Sequence, residues 1–190
     1  MISVFFIISF LFIAGSAQSQ RKWSLDLRPG INFPTKDLGN ADLKTGVGFE
    51  GTFTYRMLPA LGVYAGWSWN HFSADQSFMG SSVDFEETGY CFGLQFMQNF
   101  KQSRNGYVIK GGGTYNHIET ENINGDIVND TGHGLGWQIG AGITLPIGKR
   151  WSLVPEVRYR SLSRTMGIGD GRRDVNLNYI STVVGISFAL

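Results

Sequence analysis

The chain is poor in charge, nearly free of cysteine and holds only five prolines, and these shortages remove whole classes of protein. Among its 190 residues the single cysteine, Cys91, allows no intramolecular disulfide and no CxxC or multi-cysteine zinc arrangement. Charged residues make up 16% of the chain, below the roughly 25% of an ordinary soluble domain. Sixteen Lys and Arg against 15 Asp and Glu leave a net charge of +1, so no global field draws in nucleic acid and none is expected as a partner. Past residue 20 no apolar run approaches the ~20 residues of a membrane-crossing helix. What is plentiful is glycine, at 26 residues, and apolar surface, with 42% hydrophobic and 14% aromatic residues, which argues against disorder. The length suits one domain.

Met1 to Ala14 form an apolar run followed by the small, polar stretch Gly15 to Ser19. That is the layout of a secretory signal, and the run is too short for a membrane anchor. Residues 1–19 are expected to be a cleaved leader and 20–190 the mature domain, with a cut after Ser19 or, alternatively, after Ala17. Cys91 lies far beyond either cut, so no lipid is attached at the new N-terminus.

From Trp23 onward the dominant period is two, the signature of strands with one apolar face. Leu25, Leu27 and Ile31 alternate with Asp26, Arg28 and Asn32. The same dyad returns around Val47 to Tyr55, Leu61 to Trp69, Tyr90 to Phe96, residues 106 to 118, Leu135 to Leu145, Trp151 to Tyr159 and Ile180 to Leu190. Eight such segments, each near the ~9 to 11 residues of a tilted membrane strand, alternate between long and short connections. Long connections are expected at 34–45, 73–84, 119–133 and 163–175, and short ones at Met57 to Ala60, Gln98 to Asn105 and Pro146 to Arg150. Aromatic residues sort to two heights: Trp23, Tyr55, Phe96, Tyr107, Trp151 and Phe188 near the short turns; Phe33, Phe49, Trp69, Tyr115, Trp137 and Tyr159 toward the long loops. The pattern predicts an all-β fold, an eight-stranded antiparallel up-and-down transmembrane β-barrel.

On these residues the chain resembles the small eight-stranded outer-membrane β-barrel proteins, which include the OmpA transmembrane domain and OmpX-like proteins. The resemblance is carried by the leader, by Leu61 to Phe72 and Gly134 to Leu145, and by the closing Val184 to Leu190. It implies the outer membrane of a Gram-negative cell as location, outer-membrane lipid as surroundings, and the barrel-assembly machinery as partner. Members end in a strand that this machinery reads; Gly185, Phe188 and Leu190 match its pattern, while Val183 stands where a polar residue is usual.

In such a barrel the polar face points inward, because hydrocarbon offers a backbone or a charge no partner. Arg28, Glu50, Lys110, Glu156 and Arg158 take inward parity and are expected to form a mutual ion-pair network that plugs a lumen only wide enough for side chains. Pro29 and Pro155 fall inside strands, where bulges are expected. The GxGxxG match at Gly46 to Gly51 and the run Gly111 to Gly113 lie in strands, so neither reads as a phosphate cradle.

The three histidines, His71, His117 and His133, fall toward the long loops, the last two flanking one hairpin. A metal there would need loop carboxylates such as Glu119 as its further ligands, and the favoured reading is solvated rim residues, with no metal or other cofactor expected. Asp126, Asn129 and Asp130 lack the spacing of a calcium loop. The leading expectation is a non-enzymatic barrel whose exposed loops bind an unidentified ligand or serve envelope integrity. Two alternatives stand beside it. One is a lipid-modifying hydrolase of the lipid A deacylase kind, using His71 as base and Ser73 as nucleophile. The other is a secreted lipocalin-like carrier, which requires an apolar lumen and a polar exterior.

Overall fold

A strand that is greasy on one face and polar on the other must pair on both edges if it is to sit in lipid, and an array closed on itself achieves this. In the computed structural model, which describes residues 21–190 except 40, 78–79, 123–125 and 169–170, the chain adopts that solution. In segments 76–82 and 168–173 it describes backbone at most, and the expected leader lies outside the described residues. The strands are β1 (Trp23–Pro34), β2 (Gly46–Arg56), β3 (Leu61–Ser77), β4 (Gly80–Asn99), β5 (Gly106–Glu121), β6 (Ile127–Asp130), β7 (Gly134–Pro146), β8 (Trp151–Ile168) and β9 (Gly171–Ala189). Each long strand pairs antiparallel with the next, β5 pairs with β7, and β1 closes the cylinder on β9 through Leu27↔Ile186 and Gly30↔Val183. The four-residue β6 pairs only with the far end of β5, so eight strands make the barrel.

The exterior carries an apolar band. Leu27 and Val184, outward and near the middle of the band, are each 51% exposed, and Leu94, Ile139 and Val157 are exposed as well. Aromatic rings bound the band at both expected heights. Trp23 meets Tyr55 at 4.7 Å and Trp151 meets Phe188 at 4.5 Å near the short turns, while Phe49 meets Trp67 at 5.5 Å and Trp137 meets Tyr159 at 5.3 Å on the other side. Trp23 and Phe33 lie ten residues apart on β1, which at about 3.3 Å per residue and a tilt of about 40° rises about 25 Å, the height of a barrel's apolar band.

Two expectations are corrected. The described residues of the connections expected at 73–84 and 163–175 are strand: β3 and β4 stay paired to Ser77↔Gly80, and β8 and β9 to Ile168↔Gly171. The polar residues that suggest loops there are the outward half of strands that have left the lipid. Their inward half is apolar, with Phe72, Ala74, Val83, Phe85, Leu162, Met166, Val175 and Leu177 all buried. The barrel therefore changes sense at the upper aromatic height: polar inside and apolar outside below it, apolar inside and polar outside above it.

The second correction concerns Pro29 and Pro155, which produce no bulges. Pro29↔Phe49 and Pro155↔Val184 sit in unbroken register. An antiparallel residue directs its N–H to one neighbouring strand only, so each proline costs bonding on one side. The register of β1 with β9 skips from Leu27 to Gly30, and that of β7 with β8 skips from Gly142 to Leu145.

Candidate functional site

All five charged residues singled out from the sequence point into the lumen and are buried. The structure joins Asp26, Glu87 and Arg160 to them, giving four cations and four carboxylates in the buried interior among the described residues. Glu50, from β2, is the hub. It accepts hydrogen bonds from Lys110 Nζ at 3.2 Å, Gln138 Nε2 at 3.1 Å, Arg158 Nη1 at 2.8 Å and Arg160 Nη2 at 3.1 Å. A carboxylate has two oxygens and about four acceptor sites, so Glu50 is saturated. One turn of the barrel higher, Glu87 accepts from Asn70 Nδ2 at 3.2 Å, Asn116 Nδ2 at 2.6 Å, Arg160 Nη1 at 3.2 Å and the Tyr179 hydroxyl. Arg160 thus bridges the two acidic centres.

Below the hub, Arg28 donates to Thr52 Oγ1 at 2.9 Å and faces Asp26 Oδ2 at 3.6 Å and Glu156 Oε2 at 3.5 Å. Glu156 holds only this ion pair; neither of its oxygens accepts a hydrogen bond from a described residue. Inward glycines make the room. A Cβ at Gly140 would stand 2.8 Å from Glu156 Oε1, and one at Gly185 would stand 3.2 Å from Arg28 Cγ. The expected assembly residues separate in space: Gly185 faces the lumen, Phe188 stacks outward on Trp151, and Leu190 is exposed while its N–H bonds Trp23 O at 3.0 Å.

Above the charged layer the lumen holds an apolar cluster, and the β1–β2 connection folds down over it. Leu38 and Ala41 exchange backbone hydrogen bonds of 3.0 and 2.9 Å and are both fully buried, and Leu43 bridges to Ala74. At the opposite end a cavity of about 330 Å³ opens to the short turns and ends against Asp26, Arg28 and Gln95. Arg21, Arg56, Arg104 and Arg150 line its mouth, and no carboxylate occurs in the three short turns.

The residues weighed for chemistry lie on the outer wall above the apolar band. His71 and Ser73 share the outward face of β3, but the His71 ring turns to Glu86 Oε1 at 3.4 Å and Asp84 Oδ1 at 3.9 Å on β4. Among the described residues no hydrogen bond links His71 to Ser73. Of the oxygens weighed for calcium, Asn129 donates to Gly167 O at 2.6 Å and Asp126 pairs with Asn122, so the three diverge. Gly46 to Gly51 lie within β2.

His117 is less isolated than its sequence neighbourhood suggests. Its ring stacks on His133 at 4.3 Å, and its Nδ1 lies 3.0 Å from Asp130 Oδ1 and 3.7 Å from Glu119 Oε1. Partial burial works against the Asp130 carboxylate, but the Gly132 N–H, donated at 2.8 Å from a left-handed turn, and the His117 ring outweigh it and hold its pKa below the ordinary value.

The family described as outer membrane protein beta-barrel domain matches residues 5–188. Among solved structures the chain is similar to Neisserial surface protein A, with a TM-score of 0.62 at 12% identity over 88% of this chain and 96% of that one. It is also similar to OprG of Pseudomonas aeruginosa, with a TM-score of 0.58 at 13% identity over 92% of this chain and all of that one. The outer membrane protein W of E. coli gives the same TM-score, identity and coverage. At these identities the likeness is one of fold. No curated protein matches the chain.

Proposed function

Because the chain belongs to the outer membrane protein beta-barrel domain family, and so resides in the outer membrane of a Gram-negative envelope, we propose that it serves there without catalysis, as a sealed barrel that holds recognition hairpins above the lipid. The observation that supports this reading is the packing of two layers of buried side chains inside the barrel. A charge-balanced layer centred on Glu50 spans the lumen above the cavity at the short turns, and an apolar cluster beneath the β1–β2 connection packs the interior above it. On this reading an ion crossing the barrel meets a paired charged layer first and an apolar plug second, and neither offers a hydrated path. The hairpins β3–β4 and β8–β9 run past the lipid on a rigid, packed base, which suits a binding surface presented to the medium.

Planar-bilayer recording tests the sealed lumen. The folded protein should give no persistent conductance steps across salt conditions in which an open barrel of this width passes current. Reproducible steps of fixed size from the unmodified protein contradict it.

The hydrolase alternative loses support because His71 is committed to two carboxylates rather than to Ser73. Lipid A from overexpressing cells should show an unchanged acylation pattern by mass spectrometry; a shortened pattern that disappears with Ser73→Ala restores the enzyme. The exposed apolar band speaks against a soluble carrier, whose exterior is polar. Two further readings belong to this proposal: residues 1–19 act as the export leader, and Gly185, Phe188 and Leu190 are read by the barrel-assembly machinery. Gly185 has a second constraint in the Arg28 side chain packed against it.

A further inference from the structure

We propose that His117, Glu119 and Asp130 form a binding site for a single divalent transition-metal ion of the zinc type, on the outer wall just above the upper aromatic ring. Ligand spacing is the first ground. Bonds of about 2.0 to 2.2 Å to one tetrahedral ion place neighbouring ligand atoms roughly 3.4 Å apart. The distances from His117 Nδ1, 3.0 Å to Asp130 Oδ1 and 3.7 Å to Glu119 Oε1, bracket that value, and the three ligand atoms all lie within 4.8 Å of one another. One imidazole nitrogen and two carboxylate oxygens are donors that zinc accepts, and a three-residue set leaves a fourth position for water.

Preorganisation is the second ground. His117 and Glu119 share the outward face of β5, two residues apart, so one rigid strand aims both. Asp130 arrives from β6, which folds back through a register shift at Thr120/Glu121. Its Oδ1 is already oriented by the Gly132 N–H, and the stack of His133 fixes the plane of the His117 ring. Groups that hold a ligand without contacting the ion usually surround a built metal site. The side chains of His117 and Glu119 are 13% and 21% exposed, enough for an ion to enter without either losing its packing. The bound ion takes the place of the direct contact between His117 Nδ1 and Asp130, and it ties β6 to the barrel wall.

The test uses the full-length protein folded in detergent micelles and freed of metal, titrated with zinc by calorimetry. One equivalent should bind with micromolar affinity. Affinity should fall at least about tenfold in His117→Ala and in Asp130→Asn, and should be unchanged in His71→Ala, whose ring sits against Glu86 on the neighbouring hairpin. Heat-modifiable gel mobility checks that each variant is folded. With Cu²⁺ as probe, electron paramagnetic resonance should report one coordinating nitrogen. Absence of a stoichiometric event, equal affinity in His117→Ala, loss in His71→Ala, or a two-nitrogen signal overturns the assignment.

Discussion

Glu50→Ala is expected to destabilise the folded barrel by about 3 to 5 kcal/mol, the cost of breaking a buried ion network by removing one partner. Glu50 is fully buried and its oxygens take donors from four side chains on three other strands. Without it Lys110, Arg158 and Arg160 confront one another in a narrow interior with one carboxylate fewer to balance them. Equilibrium unfolding in urea, followed by the heat-modifiable gel shift in lipid or detergent, reads the change. Glu50→Gln keeps the shape and some acceptor capacity, so it should fall between parent and alanine variant. A paired substitution separates charge imbalance from lost packing. Lys110→Met alone should destabilise, but placed on Glu50→Ala it removes an unbalanced cation and should cost less or restore stability. Coupling of about 0.5 to 3 kcal/mol is the range for residues in one network. Additive effects of the two substitutions would show that Glu50 acts as filler and not as a counter-charge.

Val184→Arg comes next, at about 2 to 4 kcal/mol, because a cation on the lipid face costs most at the bilayer midplane. Val184 lies four residues from the Phe188 end of the apolar band and four from Ile180 at the other, points outward and is 51% exposed. Its depth can be varied on the same strand and face. Ile186→Arg, closer to the lower aromatic ring, should cost less, and Asn176→Arg, above the band, should cost little. A gradient in that order by refolding into vesicles supports the band as placed. Equal costs at 184 and 176 would place both in the same medium.

The barrel wall is legible in the sequence because period two survives any error in strand boundaries. Residues such as Arg28, Glu50, Lys110, Glu156 and Arg158 keep their parity wherever the strand is said to start. The remaining members of the charged layer are harder to see. Arg160 continues the parity of Arg158 but lies near the upper end of the band, where a lumen residue and a rim residue look alike. Glu87 belongs to the acidic run Asp84 to Glu87, whose composition suggests a loop; only pairing through Glu87↔Ile118 places it in a strand and turns it inward. The apolar upper lumen is hidden for a related reason. Its residues have the parity of the charged ones below, and the change of sense depends on the height at which water replaces lipid. Height comes from the register of eight strands together. The grouping of His117 with Asp130 depends on the fold-back of β6, which no spacing in the chain announces.

Site-directed spin labelling, on a background with Cys91 replaced by alanine, tests the change of sense most directly. Labels at Leu27 and Val184 should collide with oxygen dissolved in the bilayer and not with a water-soluble nickel chelate. Labels at Asp75 and Asn176 should do the reverse, and a label at the buried, inward Thr114 should meet neither freely. Chelate access at 27 and 184, or oxygen preference at 75 and 176, would contradict a barrel that is greasy outside in the membrane and polar outside above it.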